Sequence, residues 1–501
     1  MARVIPQPVS IIADETASPF VVSEASRIVA SPSVLAVGER LAAALRRSTG
    51  FALPVVAEDD AAGTGTADIR LSAGDEDGIA GEAHRITISD RGVDIVGAGP
   101  AGTAAGVQTF RQLLPAANWS TEVQDADWTI ASTTVEDAPR FGYRGAMLDV
   151  ARHFFTVEQV ERYIDQIAAL KFNALHLHLT DDQGWRIHIE SWPALTGVGA
   201  STNVGGGTGG FYTADDYRAI VGYAAERFII VVPEIDVPGH TNAALASYPE
   251  LNPDGVAREP YEGTEVGFSS LTIGADVTER FLTDVFREIA ALTPGPYLHI
   301  GGDESLATTA EDFLAFVKQA VEIAAGTGKT VVGWHEMGKS PELVPGTVGQ
   351  YWNYLEPEAG HADELRSFVD QGGRVIMSPA DVAYVDMKYT AESPLGLVWA
   401  DGPTSVEASY GWDPADIVDG IGDEQILGVE APLWTETVVT SDDLEYLVFP
   451  RIASVAEAGW SPRGQRDWTE FRSRLVELGD DWAAAGVAFH RSPEVDWTAS
   501  A

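Results

Sequence analysis

The sequence predicts an α/β protein with a (β/α)8 or TIM barrel preceded by a small α+β domain. At 501 residues, the chain is longer than one hydrophobic core usually organises. Beyond residue 138, strand-like and helix-like stretches alternate, which is typical of a parallel sheet covered by helices. Eight strand-like runs occur there, the number that closes this type of barrel.

Residues 1–138 form the predicted α+β domain. A helical stretch at 33–47 places Leu35, Leu41 and Leu45 on one face. Short apolar runs typical of strands lie at 9–13, 69–72, 86–89 and 93–96.

The glycine-rich run at 97–102 has some features of a dinucleotide-binding turn. Pro100 interrupts that pattern, and no acidic residue ends a following strand at the expected distance. We therefore interpret the run as a turn that leads into a helix at 103–114.

Residues 139–501 form the predicted catalytic barrel. Its candidate strands are continuous apolar runs, as expected for a parallel sheet that is buried on both faces. They lie at 144–149, 174–179, 228–233, 297–301, 330–334, 347–352, 374–378 and 426–430. Helical periodicity predicts helices at 157–171, 213–227 and 311–325, and the glycine-rich stretch at 202–210 predicts a mobile loop.

The charge of the chain disfavours some classes of partner. The formal net charge is -43 at pH 7, which predicts a negative surface that repels nucleic acid and anionic membranes. We therefore expect a small-molecule or oligosaccharide substrate, with no nucleic-acid or membrane partner. The composition does not predict an oligomeric state.

Cysteine is absent from the sequence, which excludes disulfides and thiol chemistry. The first residues lack a basic segment followed by an apolar run, and no stretch has the apolar length of a membrane-spanning helix. For the sequence as given we expect a cytoplasmic protein. Secretion is the alternative if a leader has been removed.

Polar and aromatic side chains follow the predicted strands. In a barrel of this type the active site lies at the carboxyl ends of the strands, so these residues are expected to converge. They are Asp149, Arg152, His178, Asp181, Glu234, Asp236, His240, Asp303, Glu304, Trp334, Trp352, Tyr384, Asp386, Glu430, Trp434 and Glu436.

The segment at 297–304 is the most informative, because an apolar strand ends in Gly301 and Gly302 and is followed at once by Asp303 and Glu304. The glycines allow backbone angles that direct both carboxylates into one pocket. Two adjacent carboxylates in a partly dry site resist ionising together, so the pKa of one is raised and that group can serve as an acid. The alternative interpretation is a surface turn with two exposed acids.

The segment His299-Ile300-Gly301-Gly302-Asp303-Glu304 resembles the catalytic signature of family 20 glycoside hydrolases, the β-N-acetylhexosaminidases. Segments at 144–154, 176–186 and 233–240 resemble further motifs of that family in the same order. The resemblance extends over roughly residues 139–462, and more weakly over the preceding domain.

The resemblance implies an exo-acting β-N-acetylhexosaminidase that removes terminal non-reducing N-acetylhexosamines with retention of configuration. Glu304 matches the general acid/base, and Asp303 matches the residue that orients the acetamido nitrogen. The acetamido group of the substrate acts as the nucleophile, which distinguishes this family from glycosidases with two catalytic carboxylates. Tyr384 matches the hydroxyl donor to the acetamido oxygen. The mechanism implies neither a cofactor nor a metal.

The resemblance also assigns residues to substrate binding. Trp334, Trp352 and Trp434 match an aromatic cage around the acetyl methyl group, and Trp399 is expected at its outer wall. An apolar cage bends the acetamido group toward the reacting carbon and excludes water.

Arg152, Asp386 and Glu436 match residues that bind the outer hydroxyls of the sugar through charge-assisted hydrogen bonds. Asp181 and His240 match a supporting pair that tunes the general acid. The alternative for Arg152 is a salt bridge to a nearby acid such as Asp149 or Glu436, which is compatible with sugar binding. The alternative for His240 is a buried histidine without a catalytic role.

The sequence leaves several alternatives open. His335 stands where many relatives have an acid or an amide, so no role is assigned to it. Rival functions are a metal-dependent barrel enzyme using His178, Asp181, His240 and Asp303, a catalytically silent sugar-binding protein, and a retaining glycosidase with its own nucleophile. The preference between N-acetylglucosamine and N-acetylgalactosamine is also open.

Overall fold

The computed structural model describes residues 3–14, 16–60 and 67–498. These residues divide into two compact units. Unit 1 contains the described residues up to Gly142, the short segment Ala168–Lys171, and the described residues from Phe449 onward. Unit 2 contains Tyr143–Ile167 and Phe172–Val448. The division does not follow the order of the chain, because the final segment belongs to the same unit as the first.

Unit 1 is built around a mixed sheet with the described strand order β1-β9-β6-β7-β5-β3-β4. Strands β7, β5, β3 and β4 run parallel, whereas β1, β9, β6 and β7 pair antiparallel. A small separate pair joins β2 and β8. The strands are β1 Ser10–Asp14, β2 Phe20–Val21, β3 Arg27–Ala30, β4 Val55–Ala57, β5 Asp68–Ala73, β6 His84–Ser89, β7 Gly92–Gly97, β8 Thr129–Ile130 and β9 Ser132–Asp137.

Helices accompany this sheet and confirm the α+β prediction. Helix α1 (Leu35–Thr49) contacts β3 and β4, helix α2 is Gly78–Gly81, and helix α3 (Pro100–Leu113) contacts β5, β6 and β7. The predicted turn at 97–102 is shorter than expected, because α3 already begins at Pro100. Proline is favoured at a first helical position, where its missing N–H costs no hydrogen bond.

Unit 2 is a closed parallel barrel, as predicted. Within the described residues its eight strands pair in sequence order, and β10 closes the ring by pairing with β17. The strands are β10 Tyr143–Asp149, β11 Ala174–His178, β12 Ile230–Glu234, β13 Tyr297–His299, β14 Thr330–Trp334, β15 Val348–Tyr351, β16 Val375–Met377 and β17 Ile426–Ala431.

Each of the eight predicted strands overlaps a barrel strand, and their residues are almost continuously buried. One layer inside the barrel takes a side chain from each of seven strands, with Tyr297 packed against it. Its members are Tyr143, Ala174, Val232, Val332, Val348, Ile376 and Leu427.

The remaining helices follow the barrel strands or belong to the C-terminal segment. The predicted helices at 157–171, 213–227 and 311–325 correspond to α4, α6 and α9. In chain order the helices are α4 Val157–Ala169, α5 Ala194–Gly197, α6 Ala214–Ala225, α7 Asn242–Ser247, α8 Asp276–Leu292, α9 Ala310–Ala325, α10 His361–Asp370, α11 Ala380–Ala383, α12 Val406–Tyr410, α13 Ser441–Val448, α14 Arg451–Trp460 and α15 Trp468–Ala484. In the part of the chain that the structure describes, no helix combines the length and apolarity needed to cross a bilayer.

Candidate active site

The carboxyl ends of the barrel strands carry the polar residues that the sequence analysis singled out. Strands β10, β11 and β12 end in Asp149, His178 and Glu234, and β14 ends in Trp334. All four side chains are buried. The strand ends therefore deliver three ionisable side chains and one indole to the interior of unit 2.

The loop after β13 places the two adjacent acids. Gly301 and Gly302 have φ values of 67° and 101°, and Glu304 is itself left-handed at 42°. A Cβ at Gly301 would lie 1.6 Å from Oδ1 of Asp236, and one at Gly302 would lie 2.5 Å from Cγ of Met337. The positive φ values confirm the prediction that these glycines let the chain leave the strand at unusual angles.

Two hydrogen bonds from backbone N–H groups hold this turn. The Gly301 N–H donates to Nδ1 of His299 at 3.1 Å, and the Gly302 N–H donates to Oδ1 of Asp236 at 3.1 Å. Burial, followed by the nearby Asp303 carboxylate, raises the pKa of Asp236 well above its usual value. His299 and Asp236 thus fix the backbone of the turn by accepting its N–H groups.

Asp303 and Glu304 share one neighbour, His240. Its Nε2 lies 3.7 Å from Oδ2 of Asp303 and 3.5 Å from Oε2 of Glu304. On its other side, Nδ1 lies 3.1 Å from Oδ1 of Asp181. The predicted supporting pair therefore contacts the predicted catalytic pair through His240.

The charges of this group are set by burial and by one another. Burial alone would lower the pKa of His240, but the Asp181 and Asp303 carboxylates raise it well above the usual value. Burial raises the pKa of Asp303 to about 6, with Glu304 adding to the rise and His240 opposing it. Of the two adjacent acids, Asp303 is thus the one with the raised pKa. By resemblance to the family, Asp303 is the residue that orients the acetamido group.

Arg152 is buried beside the same carboxylates. Its Nη1 lies 2.9 Å from Oδ2 of Asp181 and 3.5 Å from Oδ2 of Asp149, and its guanidinium carbon lies 4.8 Å from the centroid of the Trp434 ring. Burial would raise the pKa of Asp181, but Arg152 and His240 hold it well below the usual value. Arg152 therefore forms the salt bridge with Asp149 that was the alternative prediction. It also forms a salt bridge with Asp181, which was not predicted.

Glu436 is buried within the electrostatic reach of Arg152. Burial raises the pKa of Glu436, and the Arg152 charge opposes that rise. Among the described residues, Oε2 of Glu436 and Nε of Arg152 have no hydrogen-bond partner. An acceptor and a donor are thus available to a ligand at this end of the site.

The four predicted tryptophans and Tyr384 form one aromatic group. The Trp334 and Trp434 ring centroids lie 6.1 Å apart, and those of Tyr384 and Trp434 lie 6.4 Å apart. Trp399 lies 5.7 Å from Tyr384 and 5.9 Å from Trp352. Trp334 is fully buried whereas Trp399 is 43% exposed, which gives the group a buried end and an open end.

Tyr384 and Asp386 join this group to the acids. Both side chains are buried. Burial raises the pKa of Tyr384 well above its usual value, and the carboxylates of Asp386 and Asp303 raise it further. The phenol therefore stays protonated and keeps a proton to donate.

Glu234 connects the aromatic group to the charged group. Its Oε1 accepts a hydrogen bond from the Trp334 indole N–H at 2.9 Å, and its Oε2 lies 2.5 Å from Nδ1 of His178. The other His178 nitrogen lies 2.7 Å from Oδ2 of Asp181. In the sequence, Glu234 stands out only as a residue at a predicted strand end, and no role was predicted for it. Its buried contacts with side chains far away in the sequence supply one.

Glu336 is the functional residue that the sequence analysis missed. Its carboxyl accepts a hydrogen bond from the Trp352 indole N–H, at 2.9 Å to Oε2, and so holds one wall of the aromatic group. Burial raises the pKa of Glu336 to about 8, and Asp303 contributes to the rise. The neighbouring His335 lies beside this contact, with its Nδ1 3.5 Å from Oε2 of Glu336, while its Nε2 lies 2.7 Å from Nδ1 of His361.

The rival set of metal ligands is divided between groups. His178 and Asp181 lie within ligand distance of one another together with Asp236, whereas His240 and Asp303 group with Asp236 separately. In the described structure no group contains all four residues of the predicted metal set.

Two family models match the chain. The model described as glycosyl hydrolase family 20, catalytic domain, matches residues 141–312 and 305–463. The model described as glycosyl hydrolase family 20, domain 2, matches residues 1–138. Together they cover most of the sequence.

Relatives of known name agree with these matches. The chain is 41% identical to a β-N-acetylhexosaminidase of Cellulomonas fimi, over 99% of this chain and 97% of the relative. It is 33% identical to a β-hexosaminidase of Porphyromonas gingivalis, over 97% of this chain and 64% of the relative.

Solved structures also resemble the chain. A β-N-acetylhexosaminidase of Streptomyces coelicolor is 48% identical with a TM-score of 0.94, over 99% of both chains. A mutant β-hexosaminidase of Streptomyces plicatus in complex with the product N-acetylglucosamine is 49% identical with a TM-score of 0.94, over 99% of this chain and 98% of that one. On the family models, the full-length relatives and the barrel with its acid pair, the chain belongs to glycosyl hydrolase family 20.

Proposed function

We propose that the protein is an exo-acting β-N-acetylhexosaminidase that removes terminal non-reducing N-acetylhexosamines with retention of configuration. The observation that carries this function is the placement of Asp303 and Glu304, both within 3.7 Å of Nε2 of His240. The enzymes of known activity among its relatives, and the bound product in one solved relative, support the same assignment.

The substrate enters with its acetamido group in the aromatic cage formed by Trp334, Trp352 and Trp434. The indole faces pack against the acetyl methyl group and exclude water from the reacting bond. The protonated Tyr384 hydroxyl donates to the acetamido oxygen. Glu336 fixes Trp352 and Glu234 fixes Trp334 through the indole N–H bonds, so the cage is held before the sugar arrives.

In the first step the acetamido carbonyl oxygen attacks the anomeric carbon while the glycosidic bond breaks. Glu304 donates its proton to the departing oxygen. Asp303 accepts a hydrogen bond from the acetamido N–H and stabilises the positive charge that develops on the oxazolinium-like intermediate. Holding the nucleophile within the substrate gives the high effective concentration of an intramolecular reaction.

In the second step water attacks the anomeric carbon from the face that the aglycone left. Glu304, now ionised, takes a proton from this water, and the carbon–oxygen bond to the acetamido group breaks. Two inversions give net retention. The positively charged His240 stabilises the ionised form of Asp303, while Asp181 keeps that charge in place.

Exo action follows from the end of the site that contains Arg152, Asp386 and Glu436. The unsatisfied Nε of Arg152 and Oε2 of Glu436 suit the outer hydroxyls of a terminal sugar. Because these buried groups lose their water when a ligand binds, a sugar that lacks the matching hydroxyls would leave them unpaired. The negative net charge of -43 favours neutral glycans.

A panel of chromogenic β-glycosides tests the function. We expect hydrolysis of the β-N-acetylglucosaminide or the β-N-acetylgalactosaminide and a far slower reaction with the β-glucoside, which lacks the acetamido nucleophile. A thiazoline analogue of the cyclised intermediate should inhibit strongly. Comparable cleavage of the glucoside, or indifference to the thiazoline, would instead indicate a glycosidase with its own nucleophile.

A further inference from the structure

A cluster of metal-ligating side chains lies outside the catalytic group, where the 3₁₀ helix His335–Lys339 meets helix α10. Nε2 of His335 lies 2.7 Å from Nδ1 of His361, and that nitrogen lies 3.3 Å from Oε2 of Glu364. The three donor atoms all lie within 4.8 Å of one another. His335 is fully buried, and His361 and Glu364 are largely buried with side-chain exposures of 22% and 15%.

The sequence brings these three residues together through one loop and one helical turn. His335 directly follows β14, and His361 begins α10. Glu364 lies three residues further along the same helix, so that it shares a face with His361. This spacing explains how two side chains of one helix and one of a neighbouring segment can present donors to a common point.

Each imidazole has an acceptor near the nitrogen that faces away from the cluster. The His335 ring makes a hydrogen bond with the Gln350 backbone, while its Nε2 points toward His361. Nε2 of His361 lies 3.9 Å from Oε2 of Glu358. Metal-ligating histidines generally have a carbonyl or carboxylate beside the nitrogen that does not bind the metal, because this contact fixes the ring.

The carboxylate oxygen of Glu364 that faces the histidines is not satisfied by the groups around it. Oε2 of Glu364 is buried without a hydrogen-bond partner among the described residues. The other oxygen, Oε1, lies 3.6 Å from Nζ of Lys339. Lys339 is 47% exposed, so its charge is shared with solvent and does not satisfy Oε2. This buried oxygen has one imidazole nitrogen at 3.3 Å and a second within 4.8 Å, an arrangement that a cation replacing the His335–His361 hydrogen bond would satisfy.

The donor types select the class of cation. Two imidazole nitrogens and one carboxylate oxygen suit zinc and similar divalent transition metals, whereas calcium and magnesium prefer oxygen ligands throughout. Zinc with ligands at about 2.0–2.2 Å needs neighbouring donors a little over 3 Å apart. The observed 2.7 Å and 3.3 Å lie within a small side-chain adjustment of that spacing.

We propose that His335, His361 and Glu364 bind a zinc-type divalent transition-metal ion, with solvent as the fourth ligand. The site is structural: it joins the segment after β14 to α10. It is separate from the acids that carry out hydrolysis and does not depend on the proposed function.

The test uses the full chain, stripped of metal with a chelator and titrated with Zn²⁺ in a calorimeter. We expect one equivalent to bind through this cluster and to raise the Tm. In His361→Ala and Glu364→Gln the affinity should fall at least about tenfold, because each removes one of three protein ligands. Zinc should then no longer raise the Tm of these variants. The Tm of each variant without zinc separates lost binding from lost folding.

Two matched controls should bind zinc as the unaltered protein does. Asp363→Asn removes a carboxylate from the same helix at a side chain that is 82% exposed. His188→Ala removes an imidazole that contacts Thr196 and Glu190 instead. Co²⁺ in place of Zn²⁺ gives a second readout, a visible absorption band of tetrahedral cobalt that His361→Ala should remove.

Three results would overturn the proposal. One is the absence of zinc binding to the unaltered chain. Another is binding that persists unchanged in both His361→Ala and Glu364→Gln. The third is binding that Asp303→Asn abolishes, since this would place the metal in the group formed by Asp236, His240 and Asp303.

Discussion

Nδ1 of His240 lies 3.1 Å from Oδ1 of Asp181, and this contact maintains a positive charge beside both catalytic acids. A buried imidazole would otherwise lose its proton, because burial penalises the charged form. We therefore expect Asp181 to act on catalysis through His240.

The acid limb of the pH profile should report Asp303. With its pKa raised to about 6, Asp303 is ionised above that pH and protonated below it. Only the carboxylate accepts the acetamido N–H, so kcat/KM should fall as pH drops through about 6.

Asp181→Asn should move that limb to higher pH. Without the Asp181 charge, His240 loses its proton more easily and no longer lowers the pKa of Asp303. Profiles of kcat/KM against pH check this, with the exposed Asp215→Asn as control. Because the change also strips Arg152 of a buried partner, the Tm is measured alongside. An unmoved acid limb in a folded variant would contradict the role given to Asp181.

Glu304→Gln should lower kcat by a factor of about 10² to 10⁴, the usual contribution of a general acid. The loss should be smaller for dinitrophenyl glycosides, whose leaving group departs without protonation. Added azide should give no α-glycosyl azide, since Glu304 is not the nucleophile. Glu311→Gln, an exposed residue of α9, is the control. An equal loss for good and poor leaving groups would argue against proton donation.

Asp303→Asn should reduce kcat more than it alters KM. The amide cannot stabilise the charge of the cyclised intermediate, and removing one such interaction typically costs a factor of about 10² to 10³. Steady-state kinetics and the Ki of a thiazoline measure the two effects. A large rise in KM at constant kcat would instead make Asp303 a residue for ground-state binding.

Gly301→Ala should destroy activity, whereas Gly328→Ala should not. Both glycines are left-handed, with φ of 67° and 85°, so both substitutions carry a backbone penalty of about 1–2 kcal/mol. Only at Gly301 does the new Cβ collide, at 1.6 Å from Oδ1 of Asp236, while nothing lies within 4 Å at Gly328. Tm and kcat/KM of the pair separate strain from collision. Equal behaviour of the two variants would show that the close approach to Asp236 is unimportant.

Glu336 should make the protein less stable at alkaline pH. Its pKa rises from 4.5 to about 8 on folding, so between these values the folded state holds a proton that the unfolded state has released. The free energy of unfolding therefore falls as pH rises through this window. In Glu336→Gln, whose amide oxygen can still accept from Trp352, this component should vanish. Denaturant titrations at pH 5 and pH 8 compare the two proteins, and parallel pH dependence would refute the assignment.

The barrel could be predicted because its strands are buried on both faces and appear as uninterrupted apolar runs. The predicted ends of several strands differ from the observed ends. The run at 297–301 yields only three residues of strand, since the left-handed Gly301 ends the ladder early. Helix α8 was not predicted, although Phe281, Val285 and Ile289 recur at helical spacing and are buried.

For the site, the local motif identified the acid pair, and the resemblance supplied the more distant residues. The structure brings Asp181 and His240 to the acids, and Trp334, Trp434 and Tyr384 to one another. The contact between Glu336 and Trp352 joins residues 16 apart in sequence, and it exists only through tertiary packing. No local spacing rule predicts this contact, and none predicts the contact between His335 and His361.

The turn after β13 also bears on enzyme engineering. The space that a side chain at Gly301 would need is filled by Asp236, and that at Gly302 by Met337. Grafting the six-residue signature into another barrel would therefore leave two voids beneath the turn, and nothing would hold the acids at their angles. A graft that preserves this chemistry would have to include the turn together with Asp236 and Met337, which pack against its two glycines.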